Sequence, residues 1–195
     1  MPSEKEWVNS FISELQARMQ TVALKESTVR VEAGRKLPYA FEVQDYHSSE
    51  PDEQNINRYE TDVLIFDQFN EDKWVPRIVI ECKQSSITTH DALTYSTKAA
   101  THKNVHPYLR YGILLGNCEH HPLPPRLVRH GANFDFMASW VGYDATDDEW
   151  QELMSVLVDE VKASRRLQKM LTSSHSKSKT RYSMIHRPLK FTRKS

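Results

Sequence analysis

The run Pro76-Arg77-Ile78-Val79-Ile80-Glu81-Cys82-Lys83 constrains the fold more than any other part of the chain. Ile78, Val79 and Ile80 are consecutive and β-branched, the pattern of a strand covered on both faces. Side chains alternate along a strand, so Glu81 and Lys83 share one face and Cys82 takes the other. A strand this apolar does not carry a freely solvated face. The two charges therefore belong at the rim of a core, where Gln84-Ser85-Ser86 ends the strand.

A second apolar run precedes it. Tyr59–Asp67, "YETDVLIFD", reads as a strand, and 68–74 as a polar turn, so the pair makes a hairpin. The hairpin brings Asp62 toward Glu81, with Lys83 beside them. Two carboxylates in a partly buried place repel unless a cation joins them. Oxygen ligands suit a hard divalent ion, Mg²⁺ with Mn²⁺ as substitute, and the backbone carbonyl of Cys82 is a further candidate ligand. Such an ion polarises a phosphodiester and lowers the pKa of a bound water, while Lys83 orients that water or neutralises transition-state charge. An exposed E-x-K is otherwise an ordinary surface ion pair, and a metal-free structural protein is the reading that goes with it.

The rest of the chain supplies a frame. A helix is expected from Ser3 to about Thr21, opened by a Ser3/Glu6 capping box, with Trp7, Phe11, Leu15 and Met19 at helical spacing. Residues 28–43 read as a loop feeding a strand near Tyr39–Val43, and 44–58 as a flexible polar loop. Residues 89–104 form a helix capped by Thr88 or Thr89, with a small face of Ala92, Ser96, Ala99 and Ala100. On that helix Tyr95, Lys98 and His102 share another face, which is either solvated or set against DNA phosphates. Strands at 108–116 and 134–143 and an amphipathic helix at 144–171 complete the order α, β, β, β, α, β, β, α, a mixed α/β sheet covered by helices.

With 195 residues the chain is long enough for one real core. We divide it into a domain at 1–171 and a basic tail at 172–195. The formal charge of zero hides an asymmetry: the tail holds seven of the 26 Lys and Arg and no acid, which leaves 19 basic against 26 acidic residues, a net of −7, in the domain. Lys177, Lys179 and Arg181, interleaved with Tyr182 and Phe191, suit a nucleic-acid backbone; a solvated end is the blander reading. No apolar run approaches the ~20 residues of a membrane span. The polar start "MPSEKEW" has no signal-peptide character, and the two cysteines, Cys82 and Cys118, read as free thiols, so a cytoplasmic location is expected. Cys118, His120, His121 and His130 invite zinc, but their spacing matches no strong pattern. Trp74 and Trp140 are expected in the core or at a dimer contact.

An acid in one hairpin strand and E-x-K at the end of the next, "YETDVLIFD…PRIVIECKQ", resembles the PD-(D/E)xK nuclease superfamily. "IVIECK", then a helix and "RYGILLG", is similar to type II restriction endonucleases and to the N-terminal nuclease region of type I restriction motor subunits. The resemblance covers roughly residues 5–116. It implies a restriction-endonuclease-like core of helix, three-stranded meander, helix and strand. It further implies that Asp62 and Glu81 bind metal, that Lys83 is catalytic, and that Glu14 is the candidate acid from the first helix. Thr61 stands where the family has Pro. Glu60 falls on the face of Asp62 and is a possible support for the ion, whereas Asp67 falls on the other. No P-loop follows, so no motor is encoded here. The expected function is Mg²⁺-dependent DNA endonuclease action in restriction or defence, as a homodimer if both strands are cut. The alternative is a DNA-binding or complex-forming module active only with a motor or specificity subunit.

Overall fold

The strand expected at 76–83 lies at the centre of the molecule and runs to eleven residues. In the computed structural model, which describes residues 1–24, 27–52, 54–118, 123–173, 184–186 and 189–191, this strand (β7, Trp74–Gln84) is buried through its middle. The described elements run in chain order α1 (Glu4–Thr21), β1 (Thr28–Glu32), β2 (Lys36–Val43), β3 (Tyr46–His47), β4 (Glu50–Pro51), β5 (Gln54–Glu60), β6 (Val63–Gln68), β7, α2 (Thr89–Val105), β8 (Arg110–Gly116), α3 (Pro125–His130), β9 (Phe136–Ser139) and α4 (Asp147–Thr172). Five strands form one mixed sheet in the order β1-β6-β7-β8-β9. β6 and β7 are the antiparallel hairpin expected, in register Val63 to Ile80. β8 lies parallel to β7, with Glu81 opposite Ile113, and α2 is the crossover that a parallel pair requires.

Each face of β7 meets a different layer. Ile78, Ile80 and Cys82 join α1 and α4 in a core that holds Trp7, Phe11, Trp140 and Trp150. Val79 faces the other way, toward Ala99 of α2 and Leu37 of β2. Trp140 thus belongs to the core, while half-buried Trp74 stacks edge-on against Phe66. The helix ends follow local chemistry: Ser3, Thr88 and Thr146 each close a capping box with Glu6, Asp91 and Glu149. Among the described residues no helix is long and apolar enough to cross a membrane.

Several expectations need correction. Residues 28–43 hold two strands, divided at Gly34 (φ 66°), rather than a loop and one strand. Residues 44–58 are not a plain loop: β5 pairs with β2 in a two-stranded ribbon, with β3 and β4 paired beyond it. Much of that ribbon is exposed, so it lacks the apolar alternation that announces a strand. Residues 59–67 are not one strand either. The chain breaks at Thr61, whose N–H and hydroxyl both donate to the Arg35 carbonyl, at 3.1 and 2.8 Å. β5 and β6 consequently enter different sheets. The expected strand at 134–143 shortens to Phe136–Ser139, and the Pro-rich stretch before it contains α3, which starts with Pro125 as helix N-termini tolerate.

Candidate active site

The break at Thr61 leaves Asp62 on a bend just before β6 starts, beside the end of β7. Asp62 there does what a neighbouring strand would do: its Oδ2 accepts the Cys82 N–H at 2.9 Å. The N–H and C=O of a strand residue open to the same side, so the Cys82 carbonyl shares that rim with the Asp62 carboxylate. The Cys82 side chain lies in the α1/α4 core, and burial, then Asp62 and Glu81, pushes its thiol well up.

Glu81 lies inside the protein, with 1% of its surface exposed. The hydroxyl of Tyr111, from β8, donates to its Oε1. Lys98, from α2, places its ammonium 3.0 Å from Oε1 and 3.2 Å from Oε2. Burial pushes the Glu81 carboxyl up, Lys98 pulls it down, and Asp62 pushes it up again; the net is upward. Asp62 accepts the Cys82 N–H, so its carboxylate lies at the strand position next to Glu81. Burial, then Glu81, drives Tyr111 up as well, and Tyr95 is pushed up to about 12 by burial first and by Glu81 and Asp62 next.

The two lysines are placed differently from the expectation. Lys83 keeps its Nζ 3.7 Å from Glu4 of α1, and its charge also reaches Asp91, whose carboxyl is held down chiefly by the Thr88 backbone and hydroxyl. The ammonium seated on Glu81 belongs to Lys98. The Tyr95–Lys98–His102 face is accordingly turned inward rather than to solvent. Lys98 sits 5.7 Å from the ring centroids of both Tyr59 and Tyr95. His102 is buried between the Tyr59 and Tyr111 rings, and burial, with Lys98, pushes it down to about 4.

Glu14 is not brought to this rim. Its carboxylate takes Arg18 at 2.7 Å, about 15 Å along α1 from Glu4. Glu4 is the α1 acid at the end of β7, where its Oε2 accepts the Gln84 N–H at 3.3 Å. Glu60 is exposed at the end of β5, with its carboxylate beside Gly34. Asp67 is buried at the far end of β6, bound by Arg77, Arg165 and Ser27. Cys118 lies against the Ser85 and Gly116 carbonyls. His120, His121, Lys177, Lys179 and Arg181 lie outside the described residues.

Among the described residues no three His, Cys, Asp or Glu side chains converge as a metal cluster. An ion here would have the Asp62 and Glu81 carboxylates, with the Cys82 carbonyl and water to complete its shell. That oxygen set suits Mg²⁺, which keeps several waters and takes one or two carboxylates. The buried Glu81 carboxylate already draws a cation onto itself in Lys98, so the residues fit a positive ion at this place. Sequence reasoning missed Tyr111 and Glu4. A tyrosine inside the apolar "RYGILLG" was a usable signal, because a buried phenol seeks a hydrogen-bond partner.

By fold, then, the molecule is a mixed α/β protein whose acids gather at the end of a central strand. Comparison with known protein families and with curated proteins finds no match.

Proposed function

We propose that this chain is a Mg²⁺-dependent DNA endonuclease of restriction-endonuclease-like fold, acting in restriction or defence. One observation carries the reading: at the end of β7 the Asp62 carboxylate takes the Cys82 N–H, next in the strand to Glu81, whose buried carboxylate holds a lysine ammonium. In this reading Asp62, Glu81 and the Cys82 carbonyl hold the ion. When bound, Mg²⁺ supplies Lewis acidity and a water of lowered pKa for phosphodiester hydrolysis. Tyr111 fixes the Glu81 carboxylate in orientation. Lys83, partly exposed beside Glu4, offers positive charge to a phosphate arriving at the rim. Tyr95 and the basic tail, with Lys177, Lys179 and Arg181, make contacts to the DNA backbone. One site per subunit serves one strand, so a homodimer is the form that cuts both. The free thiols of Cys82 and Cys118 support a reducing, cytoplasmic setting.

The acid excess of the domain favours a second reading, a nuclease-fold module that engages DNA only alongside a motor or specificity subunit. A domain charge of −7 repels a polyanion except through a local basic cleft or the tail.

Nicking of supercoiled plasmid by purified protein with Mg²⁺ or Mn²⁺ tests the proposal, beside Asp62→Ala, Glu81→Ala and Lys83→Ala. Cleavage by wild type that is lost in the Asp62 and Glu81 variants is the expected result. Silence from every protein moves the reading to the partner-dependent module, and equal cleavage by all of them rules these residues out.

A further inference from the structure

A cation that binds the Glu81 carboxylate meets one that already holds it. Glu81 is 1% exposed, Tyr111 donates to Oε1, and the Lys98 ammonium, on a side chain 19% exposed, bridges both oxygens. Buried carboxylates are kept charged by such a partner. A divalent ion and the ammonium therefore compete for one ligand. In the same pose Lys98 also faces two aromatic rings. The faces of Tyr59 on β5 and Tyr95 on α2 each lie 5.7 Å from its Nζ, within range of a cation–π contact. A rotation about the flexible lysine stem keeps the ammonium against these rings after it leaves the carboxylate.

We propose that Lys98 is the site's resident counter-cation: it holds Glu81 until a divalent ion takes that carboxylate, and the released ammonium, steadied by Tyr59 and Tyr95, then meets a substrate phosphate. This inference rests on the nuclease reading and adds its regulation, because ion binding and the readiness of a phosphate-binding lysine become one event. The two lysines thereby divide their work. Lys83 stays with Glu4 at the rim, and Lys98 is a phosphate-binding residue whose place depends on the ion.

The test is Mn²⁺ binding to the full chain without DNA, followed by the loss of the free-ion electron paramagnetic resonance signal, in wild type, Lys98→Met, Lys98→Arg and Glu81→Gln. Removing the competing charge tightens Mn²⁺ binding in Lys98→Met by about tenfold, the low end of what a close charge pair produces. Lys98→Arg, which holds a carboxylate through two donors and does not let go, weakens it. Glu81→Gln binds poorly. Circular dichroism and thermal midpoints establish that each variant is folded; if Lys98→Met is not, the arginine variant decides by its sign alone. Wild type that binds Mn²⁺ while Lys98→Met binds equally or less tightly, or Lys98→Arg binds as well as wild type, overturns the role of Lys98 and leaves the nuclease reading standing. No Mn²⁺ binding by wild type or Lys98→Met overturns both.

Discussion

A carboxylate taken out of water must recover its lost solvation from specific donors, and Glu81 does so through the Tyr111 hydroxyl and the Lys98 ammonium. Tyr111→Phe keeps the ring and removes the donor. It should destabilise the fold by about 1–3 kcal/mol, the cost of leaving a buried acceptor short of a partner. Urea unfolding with an unchanged m-value measures this, and a smaller loss would mean that Lys98 satisfies both oxygens alone. Asp67 meets the same requirement at the far end of β6, and the balance falls the other way. Burial raises its carboxyl, but Arg165, Ser27 and Arg77 together outweigh burial, so it stays below its ordinary value of 3.8. A depressed folded value means stability that is fully present above the unfolded pKa and lost as pH falls through the folded one. The acid limb of stability, measured by denaturation between about pH 6 and 2, should therefore be shallower in Asp67→Asn than in wild type.

The elements meet at a few places that leave no slack. Gly116 ends β8 directly under α1, where a Cβ would overlap the Trp7 indole. Gly116→Ala should cost about 1–3 kcal/mol by overpacking, read as a lower denaturation midpoint. In a Trp7→Leu background the same glycine change should cost less, because the obstructing ring is gone. At this scale the sequence is informative where local chemistry decides. The capping box at Ser3, an N-cap at Thr88 or Thr89, the β6–β7 hairpin and the small Ala92–Ser96–Ala99 face of α2 are all legible in it. The β2–β5 ribbon is not, since its pairing is non-local and much of it faces solvent. Nor is the break at Thr61. Its cause is the Arg35 carbonyl, 26 residues away, which no window around Thr61 contains.

Along the whole chain the charges are segregated, with an acidic domain and a tail that holds seven Lys and Arg and no Asp or Glu. If the tail carries DNA affinity, a chain ending at residue 173 should bind oligonucleotides with a weaker salt dependence. The slope of log K against log salt falls by about 0.9 for each phosphate the protein no longer neutralises, so seven such phosphates give about 6 as the upper limit. Fluorescence anisotropy over a salt series measures it, and an unchanged slope would assign the affinity to the domain. Local rules acting on the chain alone settle which residues form the central strand and which are charged at its end: β-branched Ile78–Ile80 must be buried, and period two must set Glu81 apart from Cys82. Which ammonium serves Glu81 is settled by packing instead. Lys83 is two residues away in the chain yet turns to Glu4, while Lys98, 17 residues on, arrives by the α2 crossover between parallel β7 and β8. Alternation can say that two charges share a face, but a buried carboxylate takes its partner from whichever element the fold packs over it.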